Sequence, residues 1–76
     1  MDEEIQMGKT LRARRKELGL TLDVLASKAG VARTTISKIE RDIISPSLGT
    51  LSKIARGMNV KLTSLLNEEQ AVNETV

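Results

Sequence analysis

An all-α domain is the fold the sequence predicts, and three observations carry that expectation. Aliphatic residues recur at spacings of three and four along five short segments, the period of one helix face. Gly, Asn, Pro and capping hydroxyl residues separate the segments. No run alternates apolar and polar residues for long in the manner of a strand. The expectation is one body of five short helices and no sheet over residues 1–67, followed by an acidic, flexible tail over 68–76.

The first segment runs from about Ile5 to Leu18. Met7, Leu11, Arg14 or Arg15, and Leu18 share a face, and Gly19 is placed to stop the helix. The second opens on Thr21, whose oxygen can accept from a free amide of the first turn, and Asp23 sits well at the positive end of the helix dipole. Leu22, Leu25, Ala26 and Ala29 form its apolar face, and Gly30 ends it. The third segment begins near Ala32 or Arg33 and runs to Arg41, with Ile36 and Ile39 apolar and Val31 just ahead. Residues Asp42 to Pro46 make a loop. The fourth segment takes Ser47 as N-cap and presents Leu48, Leu51, Ile54, Ala55 and Met58. Gly57 is expected to weaken its last turn by up to about 1 kcal/mol relative to Ala, and Asn59 suits the left-handed position after it. The fifth is short, from Leu62 to Asn67, with Leu62, Leu65 and Leu66 apolar. Residues 68–76 show no periodicity.

Composition removes most kinds of chemistry. The chain has 76 residues and so holds one domain at most. It contains no Cys and no His, which excludes disulfide staples, thiolate zinc sites, the usual general base and the commonest metal ligand. It contains no aromatic residue and therefore no platform for stacking single-stranded bases. With only carboxylates and hydroxyls to offer, it is not expected to be an enzyme, and no cofactor or metal is expected. No apolar stretch approaches the length of a membrane span. The acidic start Met1-Asp2-Glu3-Glu4 is unlike a signal peptide, so a cytoplasmic location is expected.

The formal charge of +2 conceals an uneven distribution. Residues 5–67 hold all twelve Lys and Arg against Glu17, Asp23, Glu40 and Asp42, a net +8. A small body that basic suits a polyanion, although a merely solvated surface has the same look.

Only about three residues, around Gly30-Val31-Ala32, join the second and third segments, which forces a steep crossing as in a helix-turn-helix. Ala26 is small where the two helices approach, Gly30 can take positive φ, and Leu25, Val31, Ile36 and Ile39 cover the inner faces. The same pattern arises in other helical hairpins, so the spacing leaves both readings open.

The run Leu20-Thr21-Leu22-Asp23-Val24-Leu25-Ala26-Ser27-Lys28-Ala29-Gly30-Val31 resembles the helix-turn-helix of the Xre and Cro/C1 regulators, relatives of the phage lambda repressor DNA-binding domain. So does Thr35-Ile36-Ser37-Lys38-Ile39-Glu40-Arg41. Ser45-Pro46-Ser47-Leu48 and Leu51-Ser52-Lys53-Ile54-Ala55 are similar to the family's fourth helix, and residues 60–66 to its fifth. The resemblance covers residues 7–67 in register. It implies a compact five-helix, lambda-repressor-like domain that binds double-stranded DNA as a homodimer and regulates transcription. Its third helix would lie in the major groove and read base edges through Arg33, Thr34, Ser37 and Lys38. Phosphate contacts would come from Lys9, Arg12, Thr21, Thr35, Arg41 and Lys53. Arg15 and Glu40 would form a partly buried ion pair between the first and third helices, with membership of the basic run Arg12, Arg14, Arg15, Lys16 as the alternative for Arg15. Val60, Leu62 and Leu65 of the fifth helix would form the dimer face, and the operator would be pseudopalindromic, with half-sites roughly 34 Å apart.

Two positions depart from the family pattern. Leu22 stands where relatives often carry a Gln that anchors a phosphate and buttresses the recognition helix, leaving Thr21 or backbone amides for the phosphate contact, and Asp42 stands where Gly is usual. Of Ile43 and Ile44, one is expected to plug the core, while the other rests on DNA sugars or a partner subunit or stays exposed. A competing reading is a protein-interaction module, such as an antitoxin or a bridging coactivator, docking through Val24, Leu22 and Ile43. The acidic residues from Glu68 onward fit either a natural end or the linker of a longer regulator.

Overall fold

The computed structural model describes residues 7–66. Helix α1 spans Met7–Glu17, α2 Leu22–Ala29, α3 Arg33–Glu40 and α4 Leu48–Gly57, and a fifth helical stretch, α5, covers residues 62–66. There is no strand among the described residues. Leu18 lies in the turn after α1, and Arg41 is the C-cap of α3 rather than its last residue. Ile5 and the acidic tail over 68–76 lie outside the described residues.

Local chemistry sets the starts. Thr21 is extended and its hydroxyl accepts from the Val24 amide at 3.1 Å, which satisfies one orphan donor of α2. Ser47 does the same for α4, accepting from the Thr50 amide at 3.1 Å. The stops share one device. Gly19, Gly30, Asp42 and Asn59 all have φ between 59° and 71°. After each of the four helices the next amide reaches back five residues, Leu20 to Arg15, Val31 to Ala26, Ile43 to Lys38 and Val60 to Ala55, closing a Schellman-type turn. Gly30 takes this conformation without a Cβ penalty; Asp42 and Asn59 tolerate it as short polar residues do. Leu20, Val31 and Val60, the aliphatics just past three of these stops, fold back onto the core.

Ile43, past the fourth stop, does not. It is 56% exposed and Ile44 39%, so neither plugs the core. The space beneath that turn belongs to α1: a Cβ on Gly8 would lie 2.6 Å from the Ile39 carbonyl oxygen and 2.7 Å from that of Glu40. The N-terminus of α1 thus sits directly on the C-terminal end of α3.

Met7, Leu11, Leu25, Ile36, Ile39, Leu51, Ile54, Ala55, Met58 and Leu65 form the core. Helix α2 lies mainly against α4, and α3 is held by α1 and α2. The expectation for Gly57 is reversed by its surroundings. It is buried, and a Cβ there would meet the backbone nitrogen and Cβ of Ala29 at 2.9 Å. Gly57→Ala is therefore expected to destabilise by about 1–3 kcal/mol through overpacking, rather than stabilise through helix propensity. Equilibrium urea unfolding measures this, and a gain in stability would show that α2 and α4 separate at no cost.

Candidate nucleic-acid interface

Helix α3 divides its residues by period. Ile36, Ile39 and Glu40 are buried, whereas Arg33, Thr34 and Lys38 are exposed and Thr35 and Ser37 are half-buried. No side chain caps its N-terminus: Ala32 occupies the N-cap. The first amides of α3 are thus left without a capping side chain, at the positive end of the helix dipole. Arg33 stands at that end, and its Nε lies 2.9 Å from Oδ1 of Asp23 in the first turn of α2. Sequence reasoning gave Asp23 only a dipole role. The available signal was an opposite charge at the first turn of each helix flanking one sharp connection.

Behind this face, Arg15 on α1 meets Glu40 on α3. Arg15 Nε donates to Glu40 Oε2 at 2.7 Å, Nη2 donates to Oε1 at 2.9 Å, and Nη1 donates to the Leu20 carbonyl at 2.9 Å. Both residues are buried, and the fork geometry satisfies each charged group. The hydrogen bonds to Glu40 raise the Arg15 pKa above its ordinary value; burial opposes this and the carboxylate's charge adds to it.

Two clefts flank the pair. Arg12, Arg15, Leu22, Ser37, Glu40 and Arg41 line one of about 170 Å³. Lys9, Arg12, Ala13, Lys16, Glu40, Arg41 and Asp42 line a second of about 400 Å³. Lys9, Arg12 and Arg41, taken from the sequence as phosphate ligands, are therefore brought together, and Lys16 joins them. Arg41 is steadied by donating from Nε to the Ser37 carbonyl at 3.3 Å. Arg33, Thr34 and Lys38 line neither cleft, and Thr21 and Lys53 are exposed elsewhere.

At the other end of the chain, Val60 and Leu62 are half-buried against the core. Leu65 requires a correction. It has no exposed surface and is a core residue, so it is unavailable to a partner. The spacing of Leu62 and Leu65 defined a face of α5 but not what lay opposite it. Leu22, expected to be exposed for a protein partner, is also half-buried on the core, while Val24 and Ile43 are exposed. Among the described residues no helix is long and apolar enough to cross a membrane.

Two short helices crossing at a left-handed Gly, the second carrying an outward polar edge, define a helix-turn-helix protein. Residues 11–65 match the helix-turn-helix family model, and the chain belongs to that family, in its Xre/Cro-C1 type. The HTH-type transcriptional regulator SinR of Bacillus licheniformis is 41% identical over 64 residues, covering 83% of this chain and 58% of that protein. The immunity repressor protein of Bacillus phage phi105 is 37% identical over 68 residues, covering 90% of this chain and 47% of that protein. Among solved structures, the master regulator for biofilm formation SinR in complex with DNA is similar with a TM-score of 0.73 at 39% identity, covering 79% of this chain and 97% of that one. The arrangement of helices is thus the lambda-repressor-like one. The chain spans about half the length of the curated relatives it matches.

Proposed function

We propose that the chain is the DNA-binding part of a cytoplasmic transcription regulator that engages a pseudopalindromic operator as a homodimer, with α3 in the major groove. The observation that carries this is the division of α3: its aliphatic edge is buried, and its exposed edge presents Arg33, Thr34 and Lys38 beside an open helix N-terminus. Such an edge can enter a groove and offer donors to guanine O6 and N7. The clefts with Lys9, Arg12 and Arg41 supply cations for phosphates, which position without specifying. A SinR relative has been solved on DNA, which agrees with this use of the fold. One module touches few base pairs, and a twofold axis doubles the contact. The surface around Val60 and Leu62 is the proposed dimer face.

Selection of bound duplexes from a random-sequence pool tests the reading. The expected product is a motif with twofold symmetry and half-site centres roughly 34 Å apart. Absence of any enriched sequence overturns it. Arg33→Ala is expected to relax preference at one base pair per half-site, costing about 1–3 kcal/mol. Lys53→Ala should weaken all duplexes about equally, and a changed base preference in that variant would reassign Lys53 from phosphate to base.

A further inference from the structure

We propose that Asp23 is a positioning residue for base recognition: its carboxylate holds Arg33 by Nε and so turns the outer edge of the guanidinium toward the duplex. The inference rests on the reading of α3 as the groove-reading helix. Its basis is the ion pair that joins the first turn of α2 to the first residue of α3, Asp23 Oδ1 to Arg33 Nε at 2.9 Å.

Stability does not account for this pair. The two side chains are 78% and 57% exposed, and pairs in that setting contribute little to folding. Its position carries a penalty instead. Asp23 is one of only four carboxylates in a segment of net charge +8, and it stands beside the edge proposed to meet a polyanion. There it repels phosphates while it is unpaired. The pairing geometry gives it a use. An arginine offers two edges with parallel N–H donors, one including Nε and one made of the two terminal nitrogens. A carboxylate on Nε occupies the first edge and leaves the terminal pair free. That pair matches the two acceptors of guanine. A guanidinium restrained in this way loses less freedom on binding than one on an untethered stem.

Removing the carboxylate should therefore move two quantities in opposite directions. For Asp23→Ala, binding to duplex of random sequence is expected to rise, because a negative charge has left the face. Discrimination at the base pair read by Arg33 is expected to fall about tenfold. Asp23→Asn retains an oxygen acceptor without the charge, so it should share the rise in non-selective binding and keep most of the discrimination. In the Arg33→Ala background, Asp23→Ala should produce no further loss of discrimination. Discrimination is a ratio of affinities on one protein sample, so a reduced folded fraction cancels from it.

The measurement is competitive binding of the 76-residue chain and its variants to the selected duplex, to duplexes altered at single base pairs, and to random-sequence duplex. If Asp23→Ala raises selective and non-selective affinity by the same factor, Asp23 acts through charge alone and the inference is overturned. If Arg33→Ala erases a preference that Asp23→Ala leaves intact, the role of Asp23 is lost while the reading of α3 stands. If Arg33→Ala changes no preference, that reading fails first and the inference falls with it.

Discussion

Glu40→Ala is expected to destabilise the protein by about 3 kcal/mol, because it leaves Arg15 charged and unpaired in a buried site. The two terminal Arg15 nitrogens and Nε now share their donors between Glu40 and the Leu20 carbonyl. With the carboxylate gone, the Leu20 carbonyl remains as a neutral partner for a desolvated guanidinium. A domain of this size holds on the order of 5 kcal/mol in all, so the variant should be largely unfolded at modest urea. Replacing both partners by apolar residues of similar volume, Arg15→Met with Glu40→Leu, is expected to be close to neutral. Urea unfolding of the two variants side by side is the check. A loss below about 1 kcal/mol for Glu40→Ala would mean that water reaches the pair freely. The direction of the pKa shift fixes the sign of the pH effect. Arg15 has its pKa raised in the folded state, so its contribution is complete below the unfolded value and is lost only as pH rises through the folded one. Both lie above the neutral range, where the contribution should be constant.

Affinity for the selected duplex is expected to fall on the order of a thousandfold between 50 and 200 mM monovalent salt. In the proposed homodimer each protomer would offer Lys9, Arg12, Arg41 and Lys53 to phosphates, eight cations in all. Engagement of about six of them releases enough condensed counterions for that slope. Lys53→Ala should then reduce the slope by about one unit for each protomer bound. A flat titration would remove phosphate neutralisation from the account of binding and leave the basic clefts without a partner.

Features governed by near neighbours in the chain were open to reading. Thr21 and Ser47 cap because a hydroxyl at that position reaches its own helix, and Gly30 and Asn59 stop helices through their own dihedral preferences. The core followed from the helical period for Leu11, Leu25, Ile36, Ile39 and Ile54. Features that depend on what lies across the interior were not open to it. Gly57 looks like a propensity defect until Ala29 is seen at its back. Leu65 looks like a free aliphatic until the body closes over it. The interface divides the same way. The outward edge of α3 is a matter of period, whereas the ion pair of Asp23 with Arg33 depends on two helix starts meeting in space. Arg15 and Glu40 lie 25 residues apart, and no spacing rule links them; the family resemblance alone suggested their partnership.

The two glycine contacts clamp the helix pair at matching ends. Gly57 bears on Ala29 at the tail of α2, and Gly8 bears on the carbonyls at the tail of α3. Ala29 lies just before the turn that leads to Arg33, so the Gly57 contact seats the approach to the head of α3 while the Gly8 contact seats its tail. Helix α3 has eight residues and runs about 12 Å from end to end. A methyl group added at either glycine would press on backbone at one end of this short span, so the set of the exposed edge is governed by how closely neighbouring backbones approach.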